Sequence, residues 1–264
     1  LKILGEFAAG KDFKRSLDLD VAQLDAKLAA LNTDCHSANW KVLELVKDPD
    51  DPKLYQSVLL SLTAPDGSIE VQKKYELKKY PVPEGKDFRE FRDTDQAGYM
   101  VHFDIKVVNH SQAAQKLDYQ LLGPIGIPLD NKMFTAPEII EQLNAQQIEK
   151  YSRAFQYAGV DIQYFAALLT PDGKNYDPQL VNGEMQSNYS ASIEPVLVQR
   201  GLRDETQSRI TVQVNSKDLD LAPGGDITHS YAMYTGPKRE SLLGPPLNAT
   251  EIMDLGIFGP VAKL

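Results

Sequence analysis

At 264 residues, with 42% hydrophobic and 25% charged side chains, the chain has the composition of an ordinary folded protein, long enough for one large β domain or two small ones. Its formal charge of −9 argues against a nucleic-acid partner, because phosphate binding draws on clustered Lys and Arg. The single cysteine, Cys35, excludes an intramolecular disulfide. No stretch reaches the ~20 consecutive apolar residues of a membrane-spanning helix, and Leu1 opens no signal peptide. Leu1 standing in place of an initiator Met reads as a processed chain or a piece of a longer one.

In chain order, the first element predicted is a helix from Leu17 to Leu31, where Leu17, Val21, Leu24, Leu28 and Leu31 recur at three-and-four spacing. Packing of that leucine stripe onto the main body is expected, since each leucine gains about 1.5–3 kcal/mol on full burial. Beyond Trp40 the chain turns to short β-rich runs. Tyr55 to Leu62 and Ser68 to Leu77 flank Asp66-Gly67 and read as a hairpin, with Ile69, Val71, Lys73, Tyr75 and Leu77 alternating along one face. The cluster Lys73, Lys74, Lys78 and Lys79 reads as a solvated strand face.

Pro81 to Gln96 is charged, contains two prolines and a glycine, and reads as an exposed loop. In the strand predicted from Tyr99 to Asn109, Val101, Phe103, Ile105 and Val107 share one face while His102, Asp104 and Lys106 share the other. Further strands are predicted at Leu117 to Leu122, Asp161 to Leu169, Tyr189 to Val198, Ser208 to Asn215 and Ile227 to Tyr234. A short helix is predicted from Pro137 to about Gln147. Pro171-Asp172-Gly173 is a second turn signal. The sum is a mainly β chain, an antiparallel sandwich with a few peripheral helices.

Chemistry-bearing motifs are sparse. The four histidines, His36, His102, His110 and His229, fall on different predicted elements without the spacing of a zinc helix, so no metal site is expected. A nucleophile elbow, a Walker loop and a dinucleotide fingerprint are absent from the sequence, so neither a catalytic constellation nor a cofactor is expected.

Several segments in order carry a family resemblance: Lys74-Tyr75-Glu76-Leu77, Gly98-Tyr99 through Val107-Val108-Asn109, Tyr164-Phe165-Ala166-Ala167, Tyr234-Thr235-Gly236-Pro237-Lys238, and Asp254-Leu255-Gly256-Ile257-Phe258-Gly259-Pro260. Over about Tyr55 to Leu264 the chain resembles the large extracytoplasmic domain of the bacterial YidC membrane-protein insertase family. The resemblance implies a β-supersandwich at the periplasmic face of the inner membrane, part of a multi-spanning protein. It implies a noncatalytic insertase or chaperone domain whose partners are Sec translocon accessory subunits and membrane-protein clients.

The resemblance also divides the chain into an unassigned N-terminal segment (1–50), a supersandwich (51–240), and a linker with an amphipathic helix (241–264) leading to a transmembrane helix. From the residues themselves, Asn248 or Thr250 can cap that last helix, whose apolar residues recur while Glu251, Asp254 and Lys263 stay polar. The partner- or membrane-facing candidates are Ile252, Leu255, Ile257, Phe258, Val261 and Leu264. The sequence departs from the family at Leu255 and Ile257, where aromatics are usual.

The alternative is a carbohydrate-binding or mutarotase-like sugar-processing protein, because supersandwich folds are shared with such enzymes. It requires a cleft in which histidine and carboxylates converge, and His102 with Asp104 is the same-face pair the sequence offers. The plainer reading of that pair is a solvated strand face.

Overall fold

The computed structural model describes residues 14–78, 84–85, 87, 96–125, 150–162, 164–173, 175–199 and 209–253. Alternating apolar residues and turn chemistry make most of these antiparallel strands. In chain order they are β1 (Leu19–Asp20), β2 (Lys41–Lys47), β3 (Tyr55–Thr63), β4 (Ile69–Glu76), β5 (Met100–Asn109), β6 (Gln115–Leu117), β7 (Gln120–Leu122), β8 (Ala158–Asp161), β9 (Phe165–Asp172), β10 (Gln179–Val181), β11 (Glu184–Gln186), β12 (Ser190–Gln199), β13 (Arg209–Ser216), β14 (Leu219–Leu221) and β15 (Asp226–Pro237). Two short helices accompany them, α1 (Ala22–Leu28) and α2 (Glu240–Leu243).

A seven-stranded sheet runs in the order β2-β3-β4-β5-β15-β9-β8, and a four-stranded sheet in the order β1-β7-β13-β12. The fold is therefore mainly β, an antiparallel sandwich. Between the sheets lies a core contributed by both: Ile69, Val71, Phe103, Ile105 and Val107 from the large sheet, Leu19, Leu121, Ile193 and Val214 from the small one. Burial at about 25 cal/mol per Å² of apolar surface makes this the main stabilising layer. A second cluster lies on the outer face of the large sheet, where Leu242, Leu243 and Leu247 cover Ala166, Leu168 and Tyr234.

The hairpin predicted around Asp66-Gly67 forms, with Gly67 at φ +73° and β3 paired to β4. Alternation in β5 also appears as expected, with Phe103, Ile105 and Val107 buried. Several boundaries move. The predicted N-terminal helix begins only at Ala22, because Leu17 takes φ 63° and Leu19–Asp20 pair with β7 instead. Leu17, Val21, Leu24 and Leu28 are buried nonetheless, while Leu31 is 62% exposed. Leu117 to Leu122 splits at Asp118-Tyr119 into β6 and β7, which join different sheets. Asp161 to Leu169 is likewise two strands, turned at Ile162, whose N–H donates to the Phe165 carbonyl at 2.9 Å.

Lys73 corrects the reading of the lysine cluster as solvated. Strand parity places it on the core side with Val71 and Tyr75, only 8% exposed. There its ammonium donates to the Leu17 carbonyl at 3.3 Å and lies 4.5 Å from the Trp40 ring centroid. Desolvation lowers its pKa to about 8.

The predicted helix from Pro137 to Gln147 and most of the Pro81 to Gln96 loop lie outside the described residues. Of the C-terminal candidates, Ile252 closes a single 3-10 turn (Thr250–Ile252) and packs against the second cluster. Leu255, Ile257, Phe258, Val261 and Leu264 lie outside the described residues. Among the described residues, no helix is long and apolar enough to cross a membrane.

Candidate functional site

The outer face of the large sheet carries its chemistry where β4, β5, β15 and β9 run side by side. Antiparallel register sets Glu76, His102, Ala232 and Thr170 in one row across these strands, and Lys74, Asp104, Ser230 and Asp172 in the next. Opposite residues in such a ladder share a face, so these side chains project together. Of these, Glu76, His102, Lys74, Asp104, Ser230 and Asp172 line a cleft of about 160 Å³, together with Lys78 and Gly173.

His102 and Asp172 are joined across this cleft at 2.7 Å between Nδ1 and Oδ2. The His102 side chain is 20% exposed and Asp172 43%. The hydrogen bond from His102 holds the Asp172 carboxyl below its ordinary value, helped by the Gly173 N–H, which donates to the other oxygen at 2.8 Å. Asp172 therefore stands as a carboxylate that orients the imidazole through Nδ1. Gly173 adopts φ +106°, and a Cβ there would come within 2.8 Å of Ser230 Cβ. Lys74 contacts Glu76 at 3.1 Å, which raises the lysine's pKa.

Directly beneath, on the core side of the same strands, lies a second polar group. The Tyr119 hydroxyl hydrogen-bonds both to His229 Nδ1 at 2.7 Å and to the Tyr231 hydroxyl at 2.8 Å. Tyr189 stacks on His229 with ring centroids 4.0 Å apart, and its hydroxyl accepts from the Ser230 N–H at 3.5 Å. Burial pushes the His229 pKa down to about 4 and raises those of Tyr119 and Tyr231. All three side chains are thus neutral at pH 7, a hydrogen-bonded support beneath the cleft and sealed from it.

A larger hollow of about 450 Å³ lies elsewhere, lined by Asp20, Asp25, Asp34 and Asp118 with Ala22 and Gln120. Burial and the neighbouring Asp25 raise the pKa of Asp20. Carboxylates and Gln120 line it without a histidine, so the smaller cleft, which joins a histidine to a carboxylate, is the better candidate for proton exchange near neutral pH. Of the other histidines, His36 pairs with Asp18 at 2.8 Å and His110 with Glu70 at 2.8 Å. Among the described residues, no group of three or more His, Cys, Asp or Glu is placed to hold a metal ion.

The sequence pair His102 and Asp104 does share the cleft, but the partner of His102 is Asp172, which had been legible only as part of a turn. Seventy residues separate the two, and only the β5-β15-β9 register brings them together.

These features define a β sandwich with an acid–base cleft on one sheet. No family model matches the chain and no curated protein matches it. Solved structures do. A galactose mutarotase related enzyme of Lactobacillus acidophilus is 9% identical, with 76% of this chain and 72% of that chain covered at a TM-score of 0.38. A galactose mutarotase-like protein of Clostridium acetobutylicum is 10% identical, with 77% and 68% covered at 0.32. A 4-alpha-glucanotransferase of Thermococcus litoralis is 9% identical, with 88% of this chain but 28% of that chain covered at 0.42.

These findings correct four expectations. The chain is not identified as an insertase domain, since no family model and no curated protein of that kind matches it. The insertase or chaperone function falls with that resemblance. So does the place within a multi-spanning protein of the inner membrane. The expectation of a noncatalytic domain rested on the same resemblance and is withdrawn with it. The ordered motifs behind the resemblance have a plainer physical reading. Phe103 to Val107 of β5 shows the alternation of a half-buried strand, Ala166 to Leu169 of β9 is buried throughout, and Tyr234 of β15 is buried in the second cluster.

Proposed function

We propose that the chain binds a small aldose in the cleft of β4, β5, β15 and β9 and interconverts its anomers, a mutarotase-like activity. The observation that carries this reading is the His102–Asp172 hydrogen bond in a cleft shared with a second carboxylate, Asp104. Anomer exchange needs one acid and one base near a ring oxygen and its neighbouring hydroxyl, and needs neither a nucleophile nor a leaving group.

The step balances with these residues alone. Asp104 takes the proton of the anomeric hydroxyl as the C1–O5 bond breaks and the aldehyde carbonyl forms. His102, protonated at Nε2 and stabilised as imidazolium by Asp172, gives its proton to O5. Rotation about C1–C2 presents the other carbonyl face. Reclosure then returns the O5 proton to His102 and the Asp104 proton to the new hydroxyl. Lys74, Glu76 and Ser230 supply polar contacts for the remaining hydroxyls. At about 160 Å³ the cleft is well below the ~300–1,000 Å³ of drug-sized sites, which suits a single ring rather than an oligosaccharide.

Polarimetry of freshly dissolved aldose anomers tests this. The protein is expected to accelerate their equilibration, and His102→Gln to abolish the acceleration while leaving the circular dichroism spectrum unchanged. An aldose panel that shows neither acceleration nor saturation-transfer binding would sink the reading.

A further inference from the structure

Among the described residues, strand β2 is the outermost strand of the large sheet, hydrogen-bonded to β3 on one side only. All seven of its residues are exposed, among them Val42 at 50%, Leu43 at 44% and Leu45 at 49%. Leu54, Tyr55 and Leu77 extend the same apolar surface. A long apolar edge with unpaired N–H and C=O groups is a template for another strand.

The sequence of this edge says which strand. Lys41-Val42-Leu43-Glu44-Leu45-Val46-Lys47 reads the same in both directions, so an antiparallel copy presents the same residue types in the same order. An isologous interface must be complementary to itself, so the register is decided by which alignment opposes unlike charges.

Register follows from charge and face. Lys41 stands opposite Ser61 and Glu44 opposite Leu59, so the irregularity between Val42 and Glu44 brings both charges onto one face, although they are three residues apart. Val42, opposite Leu60, and Leu45, opposite Val58, lie on the core-side face, where Trp40 also packs. Centring the two-fold axis on Glu44 would oppose Glu44 to Glu44 and Lys41 to Lys47, which is repulsive. Centring it between Val42 and Leu43 opposes Lys41 to Glu44 of the partner subunit twice, Val42 to Leu43 of the partner subunit twice, and Trp40 to Leu45 of the partner subunit. The Lys41–Glu44 pairs and the Trp40–Leu45 pair then share a face, and every opposed charge is complementary.

We infer that two copies of this chain pair antiparallel along β2 in this register, joining their seven-stranded sheets into one continuous sheet. His102 lies on the outer face of β5, with β3 and β4 between it and this edge, so pairing leaves the cleft open.

Sedimentation equilibrium of the full chain tests the pairing. The wild type is expected to dimerise, and Lys41→Glu and Glu44→Lys each to weaken the dimer about tenfold, as opposed pairs become like charges. Both positions are solvent-exposed, and circular dichroism melts confirm that each variant folds. The decisive arm is the double variant K41E/E44K, which restores opposite charges and is expected to recover the wild-type dissociation constant. A monomer at the highest soluble concentration overturns the inference. So does a dimer indifferent to both reversals, or weakening that the double variant fails to rescue.

Discussion

His102 and His229 lie on neighbouring strands of one sheet, β5 and β15, yet their chemistry is opposite. Parity separates them. His102 projects to the outer face, where its Nδ1 is hydrogen-bonded to Asp172. His229 projects into the core, where burial lowers its pKa to about 4 and Tyr119 and Tyr189 hold it neutral. On the proposed function one face of the sheet exchanges protons and the other refuses them, with a backbone's thickness between. A shift of one residue in register would exchange the two roles.

The largest expected effect is on the exchanging face. His102→Gln removes the acid while keeping a side chain able to reach Asp172. The rate of anomer exchange should fall about 10³-fold, equivalent to about 4 kcal/mol of barrier, within the usual range for general acid–base catalysis. Denaturant midpoints should move little, because the residue is partly exposed and its partner remains solvated. A large stability loss with retained activity would reverse the assignment of the two histidines.

The refusing face should show itself in acid. Below pH 6.5 the unfolded chain protonates its His229 position, while the folded chain does not until about pH 4. The stability this histidine contributes is therefore complete above about pH 6.5, is lost as pH falls toward 4, and levels off below. With about 1.36 kcal/mol per unit of pKa difference, the total loss is about 3 kcal/mol. Urea titrations of the wild type and of His229→Phe between pH 7 and 4 isolate this contribution, since groups common to both cancel in the difference. A difference that stays flat across that window would show the core histidine to be accessible to protons.

How much of this was legible beforehand depends on whether a feature is local. The two faces of β5 could be read from alternation alone, and so could the turn at Gly67, because period and φ preference are properties of a few neighbouring residues. The hairpin of β10 and β11 had an equally local signal in Asn182-Gly183, both at positive φ, which the sequence reading passed over. Strand β2 hid itself, because its irregular register breaks the alternation that identifies a strand. Lys73 sat visibly on the core parity of β4, but its charge suggested water, and only the Leu17 carbonyl and the Trp40 ring explain its burial. For the candidate site, His102 and Asp104 were legible as a same-face pair. Asp172 was not, because its contact with His102 depends on the pairing of three strands.

A smaller effect separates the buried network from mere packing. Tyr119→Phe keeps the ring in the core and removes the one hydroxyl shared by His229 and Tyr231. Two buried polar groups then lose a partner, at a cost of about 2 kcal/mol in a denaturant titration. The loss should come with little change in anomer exchange, because the cleft lies on the other face. Equal losses of stability and activity would mean that the two faces are not independent.

The smallest predicted effect sits where the faces meet. Gly173 ends β9 at φ +106°, and its N–H fixes the carboxylate that orients His102. In Gly173→Ala the new Cβ would press on Ser230, whose N–H reaches through to Tyr189. The positive φ alone costs an L-residue about 1 kcal/mol, so stability should fall by about that amount. Activity should fall further than stability predicts, because relief of the contact displaces Asp172 and with it the imidazole. If the pH profile of anomer exchange is unchanged in this variant while stability drops, Asp172 holds His102 without help from the Gly173 backbone, and the coupling between turn and cleft is absent.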